Sequence, residues 1–213
     1  MPIKKLTTRK QQALRTRQLI FETGLALFKK KGYDKITIGE ICTKAGISTG
    51  AFYHYFKSKD QIISEEYLKL DEYCIDIFNA LPRDLSALDR LVLFTEGLAK
   101  RFTELGALHL RAVYYSEIEP KRKKRFLADK KRPVFKIVGG LVRDAQEKGE
   151  IRQDMDCGTI ADLIVKATRG NIYDWALGGG DYDFEQTGSR MMNVLLQGLI
   201  PRKDLLDGPS GPP

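Results

Sequence analysis

Thr37-Ile-Gly-Glu-Ile-Cys-Thr-Lys-Ala-Gly-Ile-Ser-Thr-Gly-Ala-Phe-Tyr-His-Tyr-Phe-Lys-Ser-Lys59 carries the reading of this chain. Thr37 and Glu40 form a T-x-x-E capping box that starts one helix. Gly46 can take the left-handed conformation that ends this helix after Ala45. Ser48 is then the N-cap of a second helix. Ser58-Lys-Asp-Gln61 is an S-x-x-Q box, so a further helix starts almost at once. Two short helices joined by a tight glycine turn describe a helix-turn-helix, whose later helix enters a DNA groove.

Upstream, Ile20, Gly24, Leu27 and Phe28 fall at i, i+4, i+7 and i+8, one face of an amphipathic platform helix. Lys29, Lys30 and Lys31 suit its last turn, and Gly32 its cap. Ile38, Ile41 and Ala45 give the next helix its apolar face. In the recognition helix Phe52 and Phe56 point inward, with Tyr55 partly beside them. Thr49, Gly50, Tyr53 and His54 are left on or near the open face. Thr49 can reach a base edge or a phosphate, and Gly50 lets the backbone approach the groove. The Tyr53 hydroxyl, the His54 ring, Lys57 and Lys59 can donate to phosphate oxygens. Helix N-termini at Ser48 and Ser58 add anion sites. The competing reading of Tyr53 and Tyr55 is as core aromatics with wet tips.

Charge points the same way. Residues 1–59 carry 13 Lys and Arg against 3 Asp and Glu, while the remainder carries 23 against 25. A basic module on a near-neutral body is the footprint of a nucleic-acid binder, although a merely solvated basic face would look similar.

Gly32-Tyr33, Thr37-Ile38, Ile41 to Ser48 and Gly50 to Lys59 resemble the N-terminal domain of TetR-family transcriptional regulators. The likeness is close over about residues 14–62 and architectural beyond. It implies an all-α homodimer with three N-terminal DNA-binding helices and a larger domain that binds a small effector and dimerises. By the same resemblance Thr37, Thr49, Gly50, Tyr53, His54 and Lys59 are expected DNA contacts. Ser48 and Lys57 join them from the reading of the residues. Position 49 varies in the family, so Thr49 is the candidate for sequence reading.

The expected organisation is a basic flexible arm over 1–13, the helix-turn-helix domain over 14–60, a helical effector and dimer domain over 61–203, and a disordered tail over 204–213. The arm either reaches an adjacent minor groove or is a solvated tail. Helices are expected over Glu65–Asn79, Ser86–Leu105, Leu108–Ile118, from Pro133 to about Lys148, from Asp156 to the Gly178-Gly-Gly180 break, and from Asp183 to Pro201. The last two pair with their symmetry copies in a four-helix dimer interface. The basic runs Lys121–Arg125 and Lys130–Arg132 read as a solvated connection. For the effector pocket, the candidates are Phe102, His109, Tyr114 and Tyr115, with Arg169, Tyr173 and Trp175 from a later helix. The bland alternative is that these are ordinary core residues.

Other classes find little support. Gly178–Gly180 ends a helix and no Lys-Ser/Thr follows, so it is not a phosphate loop. The two histidines lack ligand-spaced partners, and no Ser or Cys stands in a nucleophile elbow. Cys42, Cys74 and Cys157 are far apart and fit a reducing cytoplasm as small buried hydrophobes. No apolar run suggests a membrane span, and no leader pattern is found. The sequence thus describes a cytoplasmic, non-enzymatic regulator without metal or cofactor. Its partners are an operator duplex, a small effector and a second copy of itself. The alternative is a constitutive dimeric DNA binder whose larger domain only dimerises or binds a protein.

Overall fold

In the computed structural model, residues 8–118 and 125–201 are described. Among them the chain is all helix, in nine segments: α1 (Thr8–Lys31), α2 (Ile38–Ala45), α3 (Thr49–Tyr55), α4 (Lys59–Ala80), α5 (Ala87–Leu105), α6 (Ala107–Ile118), α7 (Pro133–Glu147), α8 (Cys157–Leu177) and α9 (Phe184–Gln197). No helix among the described residues is long and apolar enough to cross a membrane.

The chain divides into two compact units. One comprises residues 1–70 and 105–128, the other 71–104 and 129–213. The division therefore falls inside α4 rather than at residue 60. It also groups α6, read from sequence with the larger body, with the helix-turn-helix. The reason is packing: Ala112 and Val113 of α6 are buried in the same cluster as Ile20, Phe28, Ile41 and Phe52. Two cross-links from α4 bind this unit further. Arg17 makes a bidentate pair with Glu65 and lies 5.0 Å over the Phe56 ring. Lys69 sits 3.8 Å over the ring of Phe21. The Leu127 N–H donates to a Glu117 oxygen of α6 at 2.8 Å.

In the second unit α7, α8 and α9 pack in sequence. The Glu150 carboxylate accepts the Ala87 and Leu88 N–H groups at 3.2 and 2.8 Å, capping α5 from a distant turn. Asp156 and Asp183 cap α8 and α9 as their sequence positions predict. The Trp175 indole donates to the Tyr182 carbonyl at 3.0 Å and packs on Phe184. Burial pushes the Cys74 thiol up to about 12. All three cysteines are free.

Several expectations need correction. Residues 8–13 are not a flexible arm but the first turns of α1; residues 1–7 lie outside the described set. Lys, Arg, Gln and Ala are good helix formers, so nothing stops α1 at residue 14. The Ser58/Gln61 box is replaced: the Gln61 side chain accepts from the Lys57 N–H at 2.7 Å. The last helix stops at Gln197, before Pro201. Arg132 is no solvated connector but is 6% exposed, its guanidinium on Asp71 at 2.8 Å, while Lys130 pairs with Asp162. The run at 121–124 and the tail at 204–213 lie outside the described residues.

Candidate functional site

The helix-turn-helix is set by local bonds. The Glu40 N–H donates to Thr37 Oγ1 at 3.1 Å, and the Thr37 N–H returns a bond to Glu40 Oε2 at 2.9 Å. That Thr37 N–H, together with the Lys31 ammonium, holds the Glu40 carboxyl below its ordinary value. Gly46 ends α2 at φ 66°, a conformation strained for any residue with a side chain. Ser48 Oγ then accepts the Ala51 N–H at 3.1 Å to start α3. Phe52, Phe56 and Ile41 are wholly buried, which pins α3 by one face.

The opposite face is open. Thr49, Gly50, His54 and Lys57 are exposed, and Tyr53 is 54% exposed with its ring edge-on to Phe52. A Cβ added to Gly50 would meet nothing nearer than Ser48 Oγ at 3.8 Å. Among the described residues nothing therefore requires a glycine there. The hydroxyls of Thr37 and Ser48 are each engaged in capping. Tyr55 is half-buried against His54.

Lys59 has a second role that the sequence does not reveal. Its ammonium donates to the carbonyls of Tyr33 and Ile36 at 2.9 and 3.2 Å and lies 4.1 Å over the Tyr33 ring. Tyr33 in turn donates its hydroxyl to Asp60 at 2.5 Å. The start of α4 thus clasps the loop between α1 and α2. An ammonium has three N–H donors, so this clasp leaves one to offer a phosphate.

Residues 20–65 match the family described as bacterial regulatory proteins, tetR family. The chain is 25% identical to the HTH-type transcriptional repressor BepR of Brucella suis, covering 89% of this chain and 94% of that protein. The helix-turn-helix domain of this chain is thus of the TetR type. The fatty acid metabolism regulator protein of Bacillus subtilis is another relative, 21% identical over 84% of this chain and 93% of its own length. The solved structure of the fatty acid degradation regulator FadR from Bacillus halodurans shares the fold, with TM-score 0.71 and 18% identity over 88% of this chain and 97% of that one.

The seven effector candidates fall in both units. His109, Tyr114 and Tyr115 belong to the first unit, His109 buried with Nε2 3.7 Å from a Glu66 oxygen and Tyr115 6.1 Å from the Tyr33 ring. Arg169 lies over the ring of Phe135, Tyr173 is exposed, and Trp175 is core. Phe102 borders a cavity of about 310 Å³ in the second unit, walled by α5, α8 and α9. Thr168 and Asn171 border it too, and no pattern in the sequence marks either. Aromatic residues at helical spacing signal burial, but small polar residues facing a void leave no periodic mark.

Proposed function

We infer that this TetR-family regulator is a cytoplasmic homodimeric repressor that a small molecule releases from a palindromic operator. The observation that carries the reading is the two-sidedness of α3. Phe52 and Phe56 are wholly buried, while Thr49, Gly50, Tyr53 and His54 stand open on a strongly basic module. Thr49 reads a base edge, Gly50 admits close approach, and Tyr53, His54, Lys57 and the third N–H of Lys59 meet phosphates. Thr37 and Ser48 bring their helix N-termini to the backbone of the duplex.

The dimer forms through α8 and α9. Leu163, Tyr173 and Leu177 are exposed on one stripe of α8, about half a turn from Thr168 and Asn171 at the cavity. Val194 of α9 is 70% exposed. A twofold dimer sets two recognition helices about 34 Å apart, one turn of DNA. An effector in the cavity that favours another spacing lowers DNA affinity by its preference for that state.

Selection of bound duplexes from a random pool at physiological salt tests this. A palindrome with half-sites one turn apart is the expected product. Recovery of no motif from effector-free protein would overturn sequence-specific binding.

A further inference from the structure

The cavity of the second unit has a wall whose charge is opposite to that of the chain. The protein carries a formal charge of +8, yet the charged residues on this wall are Glu96 of α5 and Glu185 of α9. Lys, Arg and His are absent from it. Both carboxylates are solvent-exposed at its border, and neither is held in a salt bridge among the described residues. Deeper, the wall is apolar: Phe102 and Phe184 meet edge-to-face at 6.4 Å, beside the buried Met192.

We propose that this cavity takes an amphiphilic organic cation, an alkyl- or arylammonium. Its apolar body lies against Phe102, Phe184 and Met192, and its head meets Glu96 and Glu185. Aromatic faces and thioethers tolerate a cation's polarised carbons, and two unpaired carboxylates fix the sign of the charge. A carboxylate ligand would meet like charges with no cation on the wall to offset them. The volume is at the lower end for ligand sites, which suits a single-chain amine. The proposal rests on reading this cavity as the effector site.

Calorimetric titration of the protein at low salt, with decyltrimethylammonium and with decanoate below their micelle concentrations, tests it. The ammonium should bind once per protomer, with decanoate about tenfold weaker or worse. E96Q/E185Q should weaken the ammonium about tenfold, because both exposed carboxylates that face its head are neutralised. Both positions are exposed, so an unchanged melting temperature certifies the fold of this variant. Equal affinity for the two probes, no ammonium binding, or indifference to E96Q/E185Q overturns the proposal. Operator release, followed by fluorescence anisotropy, separates it from the reading beneath it. Decanoate that alone binds and releases DNA sinks the cation site and leaves effector control standing. Ammonium that binds through the carboxylates without releasing DNA leaves the site standing and removes its effector role.

Discussion

The helix-turn-helix and the α8–α9 pair place their large apolar side chains in opposite ways. Around α1 to α3, Ile20, Phe28, Ile41, Phe52 and Phe56 are wholly buried within one protomer; Leu14 and Leu19 of α1 stay exposed, but the outward face of α3 is polar or, at Tyr53, amphipathic. On α8 and α9, Leu163, Tyr173, Leu177 and Val194 stay exposed although Ile160, Ile164, Ile172 and Met192 of the same helices are buried. The first region closes on itself and offers the solvent a surface fit for a charged partner. The second leaves an apolar stripe uncovered, which an isolated protomer has no use for. One region completes its core alone, and the other leaves open the stripe on which the proposed dimer rests.

That contrast can be broken most forcefully in the first core. Phe52→Ala should cost about 3–5 kcal/mol in chemical denaturation, independent of protein concentration. A stability loss that vanished at high concentration would show that this core, too, depends on assembly. Val194→Asp should do the reverse, leaving the protomer folded while weakening dimerisation by about 2 kcal/mol or more in sedimentation equilibrium. A dimer unmoved by this change would place the interface elsewhere.

The interior of the second unit can be probed by pH. An ordinary thiol ionises near 9, whereas folded Cys74 holds its proton to about 12. Between those values the folded state binds the extra proton, so stability falls as pH rises from 9 toward 12. Cys74→Ala should lose about 1.4 kcal/mol less than the parent between pH 8 and 10 in urea melts. Parallel losses would mean the thiol is wetter than its burial indicates. The smallest effect belongs to the outer face of α3. Tyr53→Phe should leave the melting temperature alone and weaken operator binding by about 1 kcal/mol. Unchanged affinity would turn the hydroxyl toward solvent.

Features spanning three or four residues were legible in the sequence. The Thr37–Glu40 box, the Gly46 turn, the Ser48 cap and the inward Phe52 and Phe56 are each decided by near neighbours. Interactions across longer separations were not. The Lys59 clasp joins positions 23 and 26 residues apart, and Arg17 reaches Glu65 across 48. No local pattern distinguishes such a lysine from a free phosphate donor. The cavity was harder still. Only Phe102 of the seven effector candidates borders it, because spacing tells that an aromatic side chain turns inward but not which of several interiors it enters.

Gly50 brings a further consequence for anyone who would engineer this protein. The position has room for a methyl group, and exchanging a helical glycine for alanine usually stabilises by up to about 1 kcal/mol. Libraries screened only for heat tolerance would therefore drift toward alanine here. On the role proposed for Gly50, they would enrich sturdier proteins whose recognition helix seats less closely in its groove, so durability and genetic control pull this one residue in opposite directions.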